Sequence, residues 1–504
     1  MRKELERTTP ESVGIHSEDI LHLINELEKC GTQMHGLMIL RHGKVAAEGW
    51  WSPFAPGIRH GCQSLTKTYT STAIGLLYDE GLVSLDEKVA DIFPEYLPEN
   101  VQEGIRRITV RNALCMSCGM YRMPDISSPD WLKEYFNIEI KKEPGDGFFY
   151  SSATSSMLAA IVRKKTGLSL LEYLKPRLFD KIGIDADNLR ILSMPDGLDN
   201  GGGGMFTTTE DNARLMQLYL NKGVWEGERV LSEQWINMAT SYQNSTEEDQ
   251  GIHDCHLGYG FQMWMCRPKG VFRADGAYGQ YSIVFPEQDM VISINETAEL
   301  GVWPQKVLDI IWDEFMPRVP LKEVGSIQEN SEMQEKLRIR LCGLKADHAV
   351  YAPITEWAKK AERVSYMLEE NQMSIVPGVY HQLTGVKKGK TEVITFLFKK
   401  SGIMQITFRY DGKEYLFDAG MDGNGRFNTE LPEWSVPQLT YVRGFWKNEN
   451  TLEIWVRYLE TCFEKKFTFV FEEDRICVIL EEGNSSVAVQ NVVKDKVTGY
   501  KIKI

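Results

Sequence analysis

The stretch that decides the interpretation of this chain is Cys62-Gln63-Ser64-Leu65-Thr66-Lys67, which leads into a helical run from Thr68 to Tyr78. A serine and a lysine three residues apart lie on one face of a helix. If Ser64 opens the helix, its hydroxyl lies close to the Lys67 amine, and its own N–H is an unpaired donor. The arrangement supplies a nucleophile, a base and half of an oxyanion hole. An isolated Ser-x-x-Lys is also compatible with a capping serine and a solvated lysine.

The composition is that of an ordinary globular protein and excludes several classes of function. The chain has 504 residues, of which 42% are hydrophobic and 25% are charged, and its formal net charge is −14. Because no basic block offsets this charge, we expect no binding to nucleic acid or to a membrane. The charged N-terminus is not followed by the apolar segment of a signal peptide, and no apolar run is long enough to span a bilayer.

The cysteines indicate a reducing compartment. There are nine of them, without a paired framework, which is typical of free thiols in a cytosol. Cys115 and Cys118 form a Cys-x-x-Cys, but no second pair and no histidine cluster follows at zinc spacing. We therefore interpret them as helix residues, and expect a cytoplasmic protein with no metal and no cofactor. The oligomeric state is unknown at this stage.

The first part of the chain, residues 1–320, alternates strand-like and helix-like segments. Two strands are predicted to form a hairpin turned at Arg41-His42-Gly43, and the Thr208 region carries a good helix cap. Strands at both ends with helices between them predict an α+β domain whose two ends meet in one sheet. The predicted strands are 35–40, 44–51, 258–265 and 279–295 (broken by a turn at 286–287), and the predicted helices are 68–78, 110–116, 155–165, 208–220 and 303–315.

The second part of the chain has a different pattern. Residues 321–362 are predicted to be a linker with short helices, and residues 363–504 to be an all-β domain. Asp411-Gly412 between two strand-like runs is a strong hairpin signal. The pattern predicts a barrel or a sandwich. The predicted strands are 393–399, 403–410, 414–419, 451–458, 466–471 and 476–480.

Four further segments accompany the Ser64 motif in a fixed order. They are Ile108–Met120, Phe149-Tyr150-Ser151-Ser152, the glycine run Gly201–Gly204 with its continuation to Thr208, and Phe272–Tyr281. Together the five motifs resemble the serine β-lactamase and penicillin-binding-protein superfamily, closest to its class C and esterase branch, which includes cytoplasmic esterases and aminohexanoate-oligomer hydrolases. The resemblance covers about residues 9–315. It implies a β-lactamase-like domain, with an antiparallel sheet flanked by helices and a helical subdomain. The all-β part resembles C-terminal modules found behind some such hydrolases.

The resemblance implies that Ser64 is a nucleophile that forms an acyl-enzyme. A buried Lys67 loses its charge readily and is then able to accept the serine proton. Tyr150 passes a proton to the leaving group or helps to activate water for deacylation. The backbone N–H groups of Ser64 and Ala277 hold the oxyanion. The implied substrate-pocket residues are Ser152, Gly276 and Tyr278.

Two departures from the family pattern restrict the expected substrate. Ser152 stands where the family often has the Asn of Tyr-x-Asn, and a hydroxyl does not offer an amide's donor and acceptor together. Ala274-Asp275-Gly276 stands where many β-lactamases have Lys-Thr-Gly. Ala274 cannot bind a substrate carboxylate, and Asp275 would repel one if it faced the pocket. Arg273 either compensates or is a solvated charge at a strand end. A small ester, amide or peptide is therefore expected rather than a β-lactam.

An aromatic pocket wall is also expected near these motifs, because apolar pockets of this kind bind acyl and aryl groups. Each member is equally compatible with a place in the core. The five aromatic residues are Tyr121, Phe149, Trp264, Tyr278 and Tyr281.

Other functions remain open on the sequence. One is a penicillin-binding-like sensor that is catalytically weak or silent, and another is a true β-lactamase or D,D-peptidase. A third places the function in the all-β part, as a module that binds lipid or a partner. The sequence also leaves open whether Lys67 or Tyr150 is the acylation base, since coupled groups share their titration.

Overall fold

The computed structural model describes residues 4–249, 253–298, 302–346, 351–399, 402–435, 437–483 and 493–502. The chain divides into two compact units, Met1–Ala346 and Asp347–Ile504. This division lies inside the segment 321–362 that the sequence analysis assigns to a linker. The three predicted ranges, 1–320, 321–362 and 363–504, stay predictions. No helix in the described ranges is both long and apolar enough to cross a membrane.

In the described part of the first unit, six strands form an antiparallel sheet in the order β2-β1-β11-β10-β9-β8. Leu37 of β1 lies opposite Ile294 of β11, so the N-terminal hairpin pairs with the last strand of the unit. The prediction that both ends meet in one sheet is confirmed. The strands are β1 (Gln33–Arg41), β2 (Lys44–Trp50), β3 (His60–Gly61), β4 (Arg190–Ile191), β5 (Met205–Thr207), β6 (Val224–Trp225), β7 (Glu228–Arg229), β8 (Trp264–Met265), β9 (Phe272–Gly276), β10 (Gln280–Phe285) and β11 (Met290–Thr297).

Helices cover both faces of this sheet, because successive side chains of a strand point to opposite faces. Met38 and Leu40 of β1 pack in the core that contains α2 and α7, whereas Leu37 and Ile39 pack in the core that contains α1. The first unit is thus an α+β layered domain, as expected. Its helices are α1 (Ser17–Lys29), α2 (Thr66–Asp79), α3 (Val89–Ile92), α4 (Glu103–Arg107), α5 (Val110–Leu114), α6 (Trp131–Tyr135), α7 (Ser152–Thr166), α8 (Leu170–Leu174), α9 (Asp180–Ile182), α10 (Thr209–Leu220), α11 (Glu233–Ala239), α12 (Val302–Asp309) and α13 (Ser331–Cys342).

Some local predictions for the first unit are wrong in detail. Cys115 is the C-cap of α5 and Cys118 lies in the bend after it, so neither is inside a helix. The predicted strand 258–265 is a loop except for β8, because its residues form turns around Gly258 and Gln262 with positive φ. Thr208, in contrast, caps α10 as predicted and forms a capping box with Asp211.

The second unit is a barrel rather than a sandwich. Nine of its described strands follow one another around the ring, and a parallel pair between Gly420 and Arg443 closes it. The sequence analysis missed β12, β16, β17 and β21. The elements are α14 (Glu356–Ala361), α15 (Gly378–Thr384), β12 (Ser365–Leu368), β13 (Thr391–Lys399), β14 (Ile403–Tyr410), β15 (Lys413–Gly420), β16 (Arg426–Asn428), β17 (Thr440–Asn448), β18 (Thr451–Tyr458), β19 (Glu464–Phe471), β20 (Arg475–Gly483) and β21 (Val493–Ile502).

Buried polar side chains of the barrel strands hold the segment 373–384. The Lys465 amine donates to the carbonyl oxygens of Ser374 (2.6 Å) and Val376 (2.8 Å) and lies 3.2 Å from the Glu482 carboxylate. Glu482 in turn accepts a hydrogen bond from the backbone N–H of Gly378, 2.6 Å away. The segment is therefore fastened by charge-assisted hydrogen bonds.

Candidate active site

Ser64 lies in a single 3-10 turn, Gln63–Leu65, immediately before α2. The prediction that Ser64 itself opens the α-helix is wrong by two residues, because α2 begins at Thr66. Gln63 has a φ of +49°, in the left-handed region that a residue with a side chain rarely adopts. Strained backbone of this kind costs on the order of 1–3 kcal/mol and is found where neighbouring structure fixes a functional group.

Lys67 follows in the first turn of α2 and reaches back to Ser64. Its amine donates to Ser64 Oγ (2.8 Å), to Ser152 Oγ (3.1 Å) and to the carbonyl oxygen of Gly202 (2.5 Å). All three acceptors are uncharged, and the residue is only 1% exposed. Burial therefore lowers the pKa of Lys67 to about 7, although the negative charge of Asp275 opposes this change. A substantial fraction of the amine is neutral near pH 7.

Tyr150 also interacts with the Ser64 hydroxyl. Its ring stacks on Trp264 (5.5 Å between centroids, 27° between planes) and meets Tyr259 edge-on at 6.2 Å. The Lys67 amine lies 4.8 Å from the centroid of the ring. Burial raises the pKa of Tyr150, and a hydrogen bond with the Ser64 side chain opposes that rise. The phenol therefore keeps its proton at neutral pH.

Helix α7 and the glycine run complete the surroundings of Lys67. Ser151 caps α7 by accepting from the backbone N–H of Thr154, which sets Ser152 at the first helical position. A Cβ atom on Gly202 would lie 2.2 Å from the carbonyl oxygen of Ser152, so only glycine fits there. The glycine run is therefore a tightly packed turn that presents a carbonyl oxygen to Lys67.

The end of β9 lies against the backbone that precedes Ser64. A Cβ atom on Gly276 would lie 2.2 Å from the carbonyl oxygen of Cys62. Ala277 follows at the start of a tight turn in which Tyr278 has a φ of +67°. This placement is compatible with a second oxyanion donor at Ala277, and that role stays a prediction. Tyr278 itself is only 2% exposed, and its part in a substrate pocket also stays a prediction.

The expected aromatic wall is only partly assembled. Trp264 stacks on Tyr150, but Tyr281 belongs to the core on the α1 side of the sheet and Tyr121 is an exposed residue. The sequence analysis missed Phe148 and Tyr259, which pack around Tyr150 and Trp264. Phe148 lies only two residues before Tyr150, and this proximity in sequence was the available signal for it. Tyr259 lies more than a hundred residues from Tyr150, so no comparable signal existed.

Arg273 does not take either of the roles expected for it. Its side chain is 0% exposed, and its Nε donates to Asp275 at 2.7 Å. Its Nη1 donates to the carbonyl oxygens of Asp254 and Met265, and its Nη2 lies 3.7 Å from the sulfur of Cys255. Arg273 is thus neither solvated nor free to bind a substrate carboxylate.

Nothing in the described residues suggests a metal centre, since no group of three or more His, Cys, Asp or Glu side chains is arranged to hold an ion there. The partly exposed groups that converge are instead two hydroxyls, a phenol and a carboxylate, from Ser64, Ser152, Tyr150 and Asp275.

Comparisons with known proteins identify the family of the first unit. The family model described as Beta-lactamase matches residues 24–301. The 6-aminohexanoate-dimer hydrolase of Paenarthrobacter ureafaciens is 28% identical over 292 residues, which are 53% of this chain and 72% of that protein. The lovastatin esterase of Penicillium rubens is 27% identical over 148 residues, or 24% of this chain and 37% of that protein.

A solved structure shares the fold. It is a Bacillus anthracis protein proposed to be a 6-aminohexanoate-dimer hydrolase, with 19% identity and a TM-score of 0.51 over 62% of this chain and 86% of that chain. More than half of the present chain matches the family model. The chain therefore belongs to the β-lactamase family and is a β-lactamase-related serine hydrolase.

Proposed function

We propose that this protein hydrolyses ester or amide bonds of a small molecule through an acyl-enzyme on Ser64. The observation that carries the proposal is the 2.8 Å contact between a buried Lys67 amine and the Ser64 hydroxyl. Because the three acceptors of that amine are uncharged, no carboxylate is hydrogen-bonded to it, and burial outweighs the charge of Asp275 in favouring the neutral amine, which is a competent base.

The proposed acylation uses each group once. Lys67 takes the proton of Ser64 Oγ as that oxygen attacks the substrate carbonyl. The resulting oxyanion is held by the backbone N–H groups of Ser64 and Ala277, and the loss of one such donor typically costs about a hundred- to a thousandfold in rate. Tyr150 donates its proton to the leaving alcohol or amine, and recovers one from the Lys67 ammonium. A water molecule then cleaves the acyl-enzyme with the same groups in reverse order.

This assignment makes Lys67 the base and Tyr150 the acid. The reason is the opposite effect of burial on the two groups, since burial favours the neutral form of each. For Lys67 the neutral form accepts a proton, and for Tyr150 the neutral form donates one.

The substrate is an ester or amide rather than a β-lactam. The position of the family's carboxylate-binding lysine is taken by Ala274, which is 0% exposed, and the neighbouring Arg273 is buried and paired. The dimer hydrolase and the esterase among the relatives support ester and amide chemistry. We also propose that the protein works in the cytoplasm, and its nine cysteines, all of them free thiols, support a reducing compartment.

The test is intact-mass spectrometry after treatment with a fluorophosphonate and with a penicillin, beside turnover of nitrophenyl acetate, nitrophenyl butyrate and nitrocefin. We expect one fluorophosphonate adduct, lost in Ser64→Ala and kept in Ser71→Ala, a matched change at a buried serine of α2. Penicillin is expected to react weakly or not at all.

Three results would contradict parts of the proposal. Labelling without steady-state product would favour a silent sensor. Rapid stoichiometric acylation by penicillin would favour a β-lactamase or a D,D-peptidase. Labelling that survives Ser64→Ala would remove Ser64 as the nucleophile.

A further inference from the structure

We propose that Asp275 makes this active site select substrates that carry a positive charge a few bonds from the scissile carbonyl. The inference rests on the proposed function and adds the substrate class. The observations that support it are the orientation, the exposure and the partners of the Arg273–Asp275 pair.

Strand β9 carries both residues of the pair to the site. Arg273 and Asp275 are two residues apart on the strand and therefore share one face. The Arg273 side chain is 0% exposed, whereas that of Asp275 is 17% exposed. Gly276, the next residue, touches the backbone before Ser64. The carboxylate is thus the more exposed half of the pair, and its charge acts on both Lys67 and Tyr150.

The guanidinium is locked in its inward position. Besides the Asp275 carboxylate, it donates to the carbonyl oxygens of Asp254 (3.4 Å) and Met265 (3.3 Å), and its two Nη atoms each lie 3.7 Å from a cysteine sulfur, those of Cys266 and Cys255. A rotation toward the pocket would break all of these contacts. An anionic substrate therefore meets the carboxylate before it meets the arginine.

The charges around the pair are not balanced. The buried Asp254 side chain accepts from Trp312 Nε1 (2.7 Å) and Gln305 Nε2 (3.0 Å), both neutral donors. One guanidinium thus stands against the two carboxylates of Asp254 and Asp275. Lys67 restores only part of the balance, because its burial favours the neutral amine. The excess negative charge acts on Lys67 and Tyr150, and a low-dielectric wall strengthens its effect on a nearby cation.

The experiment compares three nitrophenyl esters of equal chain length. They are p-nitrophenyl 4-(trimethylammonio)butanoate, its neutral isostere p-nitrophenyl 5,5-dimethylhexanoate, and p-nitrophenyl 4-sulfobutanoate. Each kcat/KM is divided by the rate of the uncatalysed hydrolysis. The variants are Asp275→Asn and, as the matched control, Asp86→Asn, which makes the same change in net charge at an exposed loop position.

We expect the wild-type protein to prefer the cationic ester over its isostere by about tenfold, equal to about 1.4 kcal/mol. The sulfonate is expected to be the slowest. Asp275→Asn should bring the ratio of cationic to neutral ester close to one, and Asp86→Asn should leave it unchanged. In the wild-type protein the same ratio should fall as salt is raised from 10 to 500 mM, which is independent of how well the variant folds.

The contrary outcomes distinguish a failure of the charge selection from a failure of the proposed function. A neutral ester that is turned over as fast as the cationic one, or a preference that is insensitive to salt or to Asp275→Asn, overturns the charge selection alone. No turnover of any ester together with no fluorophosphonate adduct on Ser64 overturns the proposed function itself.

Discussion

Among the described residues, each unit has one lysine that is buried in strong hydrogen bonds, and the two lysines differ in a single kind of partner. Lys67 and Lys465 are both 1% exposed, and both reach a carbonyl oxygen within 2.6 Å. Lys465 also has a carboxylate, that of Glu482, at 3.2 Å. Lys67 instead has two hydroxyl groups, those of Ser64 and Ser152.

The difference shows which partners allow a buried amine to exchange a proton and which restrict it to a structural role. A carboxylate partner stabilises the ammonium form and opposes the effect of burial on the pKa of Lys465, so the pair fastens the segment 373–384. Hydroxyl partners accept hydrogen bonds without compensating the charge, so burial dominates the pKa of Lys67. The same kind of side chain is therefore a structural fastener in the barrel and, in the proposed mechanism, a base in the first unit.

The largest effect that tests this contrast is expected from Lys67→Met. The thioether keeps much of the length of the side chain but cannot accept the Ser64 proton, and general-base catalysis typically contributes on the order of a hundred- to ten-thousandfold. We expect kcat/KM for nitrophenyl butyrate to fall by about a thousandfold. Circular dichroism should show an unchanged fold, because the abandoned partners are neutral. Lys67→Met with wild-type kcat/KM would show that Lys67 is not the base.

Lys465→Met should do the opposite. It leaves the buried Glu482 carboxylate without its cation, and breaking a buried pair costs about 3–5 kcal/mol. Calorimetry and hydrogen exchange of the segment 373–384 are expected to report that loss, while kcat/KM per folded molecule stays at the wild-type value. The double variant Lys465→Met, Glu482→Leu should recover most of the stability, since apolar replacements of a buried pair are often neutral. A loss of kcat/KM in the folded single variant would contradict the purely structural role of Lys465.

Tyr150→Phe is expected to have a smaller effect that depends on the leaving group. A phenol that keeps its proton serves a poor leaving group more than a good one. We expect a loss of about a hundredfold for an alkyl amide and of about tenfold or less for a nitrophenyl ester. Tyr259→Phe, which also removes a hydroxyl from the aromatic cluster around Tyr150, is the control and should leave both rates near wild type. Equal losses on both substrates would contradict the role of Tyr150 as an acid.

The sequence was a good guide where a function or an element depends on neighbouring residues. Ser64 and Lys67 lie within one helical turn, and strands such as β14 and β18 carry regular alternation, so both were predicted from local pattern. β21 was missed because its alternating lysines read as a solvated segment.

The orientation of the Arg273 side chain could not be predicted from the sequence. Both faces of β9 are covered, so the pattern of Arg273 and Asp275 on one face does not say which of them meets solvent. That choice depends on Asp254 and Met265, which come from other segments of the first unit. Partners that are distant in sequence thus determine the orientation of the Arg273 side chain, and no local rule contains them.

The smallest predicted effect is a shift in pH dependence. Since Lys67 must be neutral to accept a proton, kcat/KM should rise with pH through an apparent pKa near 7. Asp275 favours the ammonium form, so Asp275→Asn should lower that pKa and move the acid limb to lower pH by about one unit or less. The measurement is kcat/KM for the neutral ester between pH 5 and 9, with Asp86→Asn as the control. An acid limb that moves to higher pH in Asp275→Asn would show that the limb does not report Lys67.

The same titration has a consequence for stability with a definite sign. The pKa of Lys67 is about 7 in the folded protein and near its ordinary value of 10.5 when unfolded, so the unfolded chain binds more protons between these values. The free energy of unfolding should therefore rise with pH across that window, and Lys67→Met should flatten the rise. Because burial also lowers the pKa of Lys465, its replacement should flatten the rise as well, although its Glu482 partner opposes the shift. The pH dependence of the free energy of unfolding should thus respond in the same direction to the replacement of either lysine. Only the pH dependence of kcat/KM should distinguish the proposed base, Lys67, from the structural Lys465.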